Sequence, residues 1–287
     1  MAERMLPRIT VVMPSYNQAA FLRQAIRSVL CQDYPNLQFL VVDGGSTDSS
    51  VAVIREFAPR IDRWVSEPDE GQSDALNKGL SWAEGEVVTW LNSDDLLMPG
   101  ALHTAGRMWR RYPDLHLLSG ECLRIGPNNE FLGWHVVPRQ TRWFARHGLI
   151  YIDQPGAFWK RGLLPAPVVD RKLTMFMDAD LWCRVTLLGG RTLRVRKGLA
   201  AFRLQPASKT CTIYDACRNE QIGLWRKYCP GTEKIAFSTT AAYRLWKCAN
   251  GDYLRQTLLT HWPPAGVREY LREIRRSSES AGIGARA

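Results

Sequence analysis

The chain of 287 residues lacks the sequence patterns of several common protein classes. Its seven cysteines never form a C-x-x-C pair and its five histidines are scattered, so neither a disulfide framework nor a zinc site is indicated. No stretch provides the roughly 18 uninterrupted apolar residues of a membrane-spanning helix, and residues 1–7 contain no apolar signal-peptide region. We therefore expect a soluble, cytosolic protein with reduced thiols.

Two glycine-rich nucleotide motifs are also missing. Dinucleotide binding needs G-x-G-x-x-G after the first strand, where this chain reads Pro14-Ser15-Tyr16-Asn17-Gln18, and there is no G-x-x-x-x-G-K-[ST] motif. Backbone cradling of phosphate groups is thus poorly supported. A cation is the better candidate to hold a diphosphate.

The net charge of +10 is concentrated near the C-terminus, with 14 Lys and Arg against 7 Asp and Glu from Arg203 onward. A basic excess fits nucleic acid, acidic lipid or a phosphorylated substrate, but a solvated surface is the usual explanation. Basic and aromatic residues do not interleave on a recognisable nucleic-acid module, so we expect no nucleic-acid partner.

The order of strands and helices predicts an α/β fold. Buried strands are predicted at 9–13, 39–42, 64–65 and 87–91, with amphipathic helices between them. In such parallel sheets ligands bind beyond the carboxyl ends of the strands. The loops at 14–17, 43–45 and 92–95 should therefore meet at one crevice.

Later segments predict an extension of the same sheet followed by helices. Shorter apolar pieces alternate with glycine and proline breaks up to about residue 209, and strand signals then disappear. We predict a catalytic domain over 1–209, with a nucleotide-binding half (1–99) and an acceptor-binding half (100–209). A helical C-terminal region is predicted over 210–287.

Two acidic pairs are the strongest chemical signal. Asn92-Ser93-Asp94-Asp95 closes a predicted strand, and Asp178-Ala179-Asp180 opens an apolar run. An acidic pair at a strand end suits a divalent cation that grips phosphate, while the second pair suits a general base. Each pair could alternatively be a helix N-cap, but the combination favours transfer chemistry on a phosphate-activated donor.

Six sequence blocks occur in an order that resembles a known family. They are Pro14 to Asn17, Asp43 to Asp48, Glu67 to Gly71, Asp74 to Gly79, Asn92 to Asp95, and Asp178 to Trp182. The set resembles the signature of family-2 glycosyltransferases of the GT-A fold, in particular the bacterial branch that builds surface polysaccharides. The resemblance is strong over 9–99 and weaker over 154–209. It implies a Rossmann-like, three-layer αβα sandwich with a mostly parallel central sheet.

The resemblance also implies roles for individual residues. Tyr16 would stack on the nucleotide base and Asp43 would accept the imino N–H of uracil. Mn²⁺ or Mg²⁺ would be held by Asp94 and Asp95. The residues implied in nucleotide-sugar binding are Pro14, Ser15, Tyr16, Asn17, Asp43, Gly44, Gly45, Ser46, Asp69, Asp74, Asn77, Lys78, Asn92, Ser93 and Asp94.

Asp178 matches the catalytic base of the family, with Asp180 as the second candidate. Helical geometry turns Asp180 away from Asp178, toward a helix cap or Arg184. Three positions depart from the family pattern: Gly44 and Asn92 stand where an acid is frequent, and Met177 replaces the usual Glu. The first two departures bear on base identity and metal dependence.

The resemblance thus implies an inverting transferase that moves a sugar from a nucleotide diphosphate, a UDP-sugar, to a hydroxyl of a glycan or lipid-linked acceptor. The alternatives are a nucleotidyltransferase, or a catalytically silent member that only binds nucleotide or glycan.

A basic helix is predicted near the C-terminus. Val267, Tyr270, Leu271 and Ile274 form its apolar stripe, and arginines lie on its polar side. We expect this helix to dock on its own domain. Peripheral contact with the inner face of a membrane is the alternative.

Overall fold

The N-terminal third consists of alternating strands and helices, as predicted. The computed structural model describes residues 5–147, 149–213, 216–230 and 244–282. The first elements are β1 (Ile9–Ser15), α1 (Ala19–Leu30), β2 (Leu37–Asp43), α2 (Ser50–Phe57), β3 (Arg63–Ser66), α3 (Gln72–Ser81) and β4 (Val87–Trp90).

The later elements extend this unit. They are β5 (Leu96–Leu97), α4 (Ala101–Arg111), β6 (Leu115–Ile125), β7 (Phe131–His135), α5 (Arg142–Arg146), β8 (Ala157–Lys160), α6 (Met177–Leu187) and β9 (Arg191–Arg203). Four helices follow: α7 (Lys209–Thr212), α8 (Arg218–Tyr228), α9 (Asp252–His261) and α10 (Ala265–Gly282). Residues 244–249 are helical as well. Parts of the predicted helical region, at 214–215, 231–243 and 283–287, lie outside the described residues.

One sheet connects the strands in the order β3-β2-β1-β4-β8-β6-β9-β5, with β7 paired to β6. Parallel pairing joins β3, β2, β1 and β4, and also β6 with β9. β8 is antiparallel to both of its neighbours. The register places Ser15 opposite Asp43 and Asp43 opposite Ser66, so three strands end together at one edge.

Helices cover both faces of the sheet because strand residues alternate between two apolar clusters. Val11 and Met13 pack with α1, α2 and α4, whereas Val12 between them packs with α3 and α6. The predicted three-layer αβα sandwich is confirmed.

The C-terminal helix α10 docks on the domain through its predicted apolar stripe. Val267, Leu271 and Ile274 are buried against a third cluster that includes Trp134. The Tyr270 hydroxyl donates a hydrogen bond to the Leu97 carbonyl over 2.7 Å. None of the described helices is both long enough and apolar enough to span a membrane.

We predict opposite effects of Gly→Ala at two helical positions. In α3, a Cβ at Gly79 would lie 2.4 Å from Val12 Cγ1, so Gly79→Ala should destabilise the protein by about 1–3 kcal/mol. In α8, exposed Gly223 has no atom within 4 Å of such a Cβ, and Gly223→Ala should stabilise by about 0.4–1 kcal/mol. Urea denaturation measures both. Equal shifts in the two variants would contradict this account of α3 packing.

Candidate functional site

A cleft of about 720 Å³ opens at the carboxyl ends of β1, β2 and β4, where the sequence predicts a ligand site. The predicted binding residues that line it are Pro14, Ser15, Tyr16, Gly44, Gly45, Asp69, Asn92, Ser93 and Asp94. The Tyr16 ring is 60% exposed and free to stack. The buried Ser15 hydroxyl has no hydrogen-bond partner among the described residues, so a ligand could supply one.

Three predicted binding residues, Asn17, Asp43 and Ser46, instead hold the cleft loops together. Asp43 is fully buried and accepts hydrogen bonds from the Ser46 amide and hydroxyl and from the Ser66 hydroxyl, over 2.6–2.9 Å. The Asn17 amide oxygen accepts from the Thr47 amide over 2.8 Å. None of the three lines the cleft, so the base-reading role predicted for Asp43 is not supported by its position.

Asp74, Asn77 and Lys78 also lie outside the cleft, on the flank of α3. Asn77 exchanges two hydrogen bonds with the Val169 backbone, of 2.8 and 2.9 Å. Asp74 pairs with Arg171 over 3.0 Å, and Lys78 pairs with Glu67. The predicted contact with ribose and diphosphate is therefore not supported: Asp74 and Asn77 anchor the segment that leads to Asp178, and Lys78 is paired with Glu67.

Asp94 and Asp95 form an acidic pair at the cleft floor, in which Asp94 is half-buried and Asp95 is buried. Burial raises the pKa of both carboxyls, and the neighbouring charge of Asp94 raises that of Asp95 further. Asp94 accepts a hydrogen bond from the Gln205 amide over 3.1 Å and lines the cleft. Asp95 is 1% exposed and accepts from the backbone amide of Arg203 over 2.8 Å.

These positions fit a divalent cation held by one protein carboxylate. No group of three or more His, Cys, Asp or Glu in the described ranges could hold a metal ion by itself. Mg²⁺ and Mn²⁺ sites at phosphates commonly use one or two carboxylates, with phosphate oxygens and water completing the shell. Asp94 can serve in such a site. Asp95, which was predicted as a second ligand, is buried and its carboxylate is bonded to the Arg203 amide.

A second cavity, of about 470 Å³, adjoins the first and contains Asp178. The two cavities share Gln72, Asn92, Phe202, Lys209 and Thr210 as lining residues. The structure thus brings Asp94 and Asp178 to neighbouring spaces with a common wall. A ligand that spans both cavities would reach both acids.

Asp178, in the first turn of α6, is a carboxyl suited to accept a proton near neutral pH. Burial raises its pKa to about 6, the Asp153 charge adding to the effect and the Ala179 amide opposing it. The Ala179 amide donates to Asp178 over 2.7 Å. Glu220 of α8 accepts from the amides of Thr174 and Met175 just before this helix, over 3.0–3.1 Å.

Asp180, the second candidate base, is occupied elsewhere. Its fully buried carboxylate pairs with Arg184 over 2.7 Å and with Lys227 over 2.8 Å, and the Tyr228 hydroxyl donates over 2.6 Å. Burial would raise its pKa, but these partners outweigh burial and hold the pKa below its usual range. Asp180 does not line either cavity, so its catalytic role is not supported and its position is structural.

A chain of amide side chains, not anticipated in full from the sequence, forms the wall between the cavities. Lys209 donates to Gln72 over 2.9 Å, and Gln72 donates to Asn92 over 2.8 Å. Asn92 in turn donates to Gln154 over 3.2 Å. Gln72 and Phe202 belong to no recognisable motif, and only the fold brings them to this wall.

Comparison with known proteins identifies a family for the larger part of the chain. Residues 10–161, more than half of the chain, match the family model described as Glycosyl transferase family 2. A glycosyltransferase of Haemophilus influenzae is 36% identical over 95 residues, which cover 32% of this chain and 38% of that protein. A Campylobacter jejuni protein named GalNAc(5)-diNAcBac-PP-undecaprenol beta-1,3-glucosyltransferase is 34% identical over 103 residues, or 34% of this chain and 33% of that protein. The matched segment spans about a third of the length of these curated relatives.

Solved structures show the same fold at low identity. S. aureus TarS in complex with UDP-GlcNAc aligns with a TM-score of 0.55 and 19% identity, over 72% of this chain and 61% of that chain. The mannosyltransferase PcManGT of Pyrobaculum calidifontis, in complex with GDP-Man and Mn²⁺, aligns with a TM-score of 0.53 and 20% identity. That alignment covers 99% of this chain and 89% of that chain. The GT-A fold expected from the sequence is thereby confirmed.

We predict that Asp180→Asn destabilises the protein in a pH-dependent way. The pKa of Asp180 is lower in the folded protein, so folding favours the ionised carboxylate. Its contribution to the free energy of unfolding is complete above the unfolded pKa of about 4. This contribution is lost as the pH falls through the lower pKa of the folded state. Urea unfolding at pH 7 should show a loss of about 1–3 kcal/mol, which shrinks toward pH 3. A difference independent of pH would contradict the ionic role.

Proposed function

This chain belongs to glycosyl transferase family 2, and on that premise we propose that it is an inverting glycosyltransferase. It moves a sugar from a nucleotide diphosphate, a UDP-sugar, to a hydroxyl of a glycan or lipid-linked acceptor in surface polysaccharide synthesis. The observation that carries the proposal is the common wall of the two cavities. It leaves Asp94 beside the donor cleft and Asp178 beside the neighbouring space for an acceptor.

The donor occupies the first cleft, with its base against Tyr16 and its diphosphate toward Asp94. Exposed Tyr16 offers a flat face for stacking. Lys209 is a cation at the junction of the cavities whose pKa is lowered by burial. Its hydrogen bonds go to neutral oxygens of Gln72 and Thr174, which leaves its charge available to a diphosphate. Binding of UDP-GlcNAc and GDP-Man by the structural neighbours supports a nucleotide-sugar donor.

Asp178 is the general base. Its carboxylate takes the proton of the acceptor hydroxyl while that oxygen attacks the anomeric carbon from the face opposite the diphosphate. The new C–O bond forms as the bond from the anomeric carbon to the diphosphate oxygen breaks, and the diphosphate leaves with the electron pair. The configuration at the anomeric carbon is therefore inverted.

Mn²⁺ or Mg²⁺, when bound, would neutralise the negative charge that grows on the leaving diphosphate. Asp94 would hold the ion from the cleft floor. Asp95, held by the Arg203 amide, keeps the loop that carries Asp94 in place. Asn92 keeps its amide oriented by Gln72 and Gln154.

The acceptor enters the second cavity, whose lining combines Asp178 with apolar side chains such as Ile152, Met175 and Met177. The name of the Campylobacter relative supports an acceptor carried on a lipid diphosphate. Such acceptors are membrane-bound, so we place this enzyme at the cytoplasmic face of the membrane.

The first test is Asp178→Asn, which should lower kcat by about 10²–10⁴-fold because the amide cannot accept the proton. UDP affinity, measured by calorimetry, should be unchanged because Asp178 lies outside the donor cleft. The wild-type rate should rise with pH through about 6 and level off above it, since the raised pKa keeps Asp178 protonated below that value.

Asp114→Asn is a matched control, because Asp114 is exposed and pairs with Arg191, and neither residue lines either cavity. It should keep wild-type turnover. Near-normal turnover of Asp178→Asn would reject the base assignment. Release of pyrophosphate instead of nucleoside diphosphate would indicate a nucleotidyltransferase, and a wild type that binds UDP-sugars without consuming them would indicate a silent member.

The second test concerns the metal. UDP binding by the wild type should weaken on chelation and recover on addition of Mn²⁺, because Asp94 would hold an ion that neutralises the charge of the diphosphate. Asp94→Asn should bind UDP weakly with or without Mn²⁺, whereas both proteins should bind uridine alike. Metal-independent UDP binding by the wild type would refute the metal role of Asp94.

A further inference from the structure

The carboxylate of Asp69 occupies the space where a side chain at position 44 would lie. A Cβ built on Gly44 would meet Asp69 Oδ2 at 2.6 Å and Asp69 Cγ at 2.9 Å. Real Cβ atoms do not come this close to other heavy atoms, so the missing side chain at Gly44 makes room for Asp69. Both residues line the donor cleft.

The local backbone keeps Asp69 over Gly44. The Gly71 amide donates to Asp69 Oδ1 over 2.8 Å, which orients the carboxylate. The loop that carries Asp69 also packs tightly on its neighbour, since a Cβ on Gly45 would lie 3.1 Å from the Pro68 nitrogen. Within the described part of the chain, Asp69 Oδ2 accepts no hydrogen bond from protein. One carboxylate oxygen is thus oriented and the other is left to the cleft.

The residue predicted to read the base cannot easily do so. Asp43 is fully buried, accepts three hydrogen bonds and does not line the cleft. Asp69 is half-buried and shares the cleft lining with Tyr16, whose ring is 60% exposed. An aromatic face and a carboxylate acceptor in the lining of one cleft suit a flat ring that presents an N–H group.

We propose that Asp69, seated over Gly44, selects the nucleobase of the donor by accepting its imino N–H. Uracil and guanine present such a group, whereas adenine and cytosine present a ring acceptor and an amino group at the corresponding edge. The inference rests on the proposed function, because it assumes that a nucleotide occupies this cleft. It assigns base specificity to a residue in the loop after β3, not to the aspartate that ends β2.

Nucleotide binding, measured by calorimetry with UDP, GDP, CDP and ADP in the presence of Mn²⁺, tests the assignment. Asp69→Asn keeps the side-chain shape and an oxygen for the Gly71 amide, so the fold is preserved. It should weaken binding of UDP by about 10–100-fold, as expected for loss of a charge-assisted hydrogen bond, and should narrow the preference for UDP over CDP. Asp33→Asn, at an exposed turn outside both cavities, is the control and should bind UDP like the wild type.

A reciprocal pair of variants tests the shared space directly. Gly44→Asp should bind UDP poorly, because its side chain collides with Asp69. The double variant Gly44→Asp, Asp69→Ala removes the collision and returns a carboxylate to the same space, so UDP binding should recover by about tenfold or more over Gly44→Asp alone. Thermal melting checks that each variant is folded.

Three outcomes would count against these claims in distinguishable ways. Wild-type affinity for UDP in Asp69→Asn would overturn the assignment of Asp69 while leaving the proposed function intact. A double variant that binds no better than folded Gly44→Asp would do the same. A wild type that binds none of the four nucleotides would overturn the proposed function and this inference together. If GDP binds more tightly than UDP, Asp69 would still be supported as the acceptor of the imino N–H, and the base of the donor would be guanine instead of uracil.

Discussion

The geometry of the site depends on a buried cation, the guanidinium of Arg203, which lies close to the buried carboxylate of Asp95 and the half-buried carboxylate of Asp94. Arg203 ends β9 and is fully buried, although arginine is rarely so. Its Nε donates to the carbonyl of Asp94 over 2.7 Å and its backbone amide donates to the carboxylate of Asp95. Its remaining hydrogen bonds go to Gln24, Gly126, Pro127 and Asn129. Removing it would take away the positive charge that acts on both acids and leave buried Asp95 with the charge of Arg124, which is costly.

The position of Arg203 gives Asp94 and Asp95 different functions. Asp95 lies deeper and holds β9 to the loop after β4, whereas Asp94 faces the cleft. Burial raises the pKa of both, so an ionised pair needs positive charge nearby. Arg203 supplies part of that charge from behind. A cation at the donor diphosphate would supply the rest from the cleft side.

Helix α3 joins the two halves of the site. Its N-terminal Gln72 lies in the wall between the cavities, and Ser73 and Asn77 hold the backbone at Leu173 and Val169. The polar residues of this helix resemble a ligand-binding motif in sequence, but they stabilise the approach to Asp178. A change on this flank should therefore alter the cavity that contains Asp178 more than the cleft that contains Asp94.

Much of the fold could be predicted from the pattern of residues along the sequence. Apolar residues recur with a period of 2 in strands and 3.6 in helices, and these periods are local properties of the sequence. They predict the four strands of the N-terminal third, the cleft at the carboxyl ends of these strands and the apolar stripe with which α10 docks. Asp94 was predicted to lie at the cleft for the same reason, since a strand end can be read locally, whereas the role predicted for Asp178 came from the resemblance to the family. The sequence did not predict which of the polar side chains face the cleft and which are used within the protein. Asp43 and Asp95 accept hydrogen bonds from Ser66 and Arg203, partners that folding brings from elsewhere in the chain. Asp180 pairs with Arg184, as its helical spacing indicates, and also with Lys227 of α8. The space shared by Gly44 and Asp69 arises in the same way: it depends on how two loops pack, and packing distances have no local signature in the sequence.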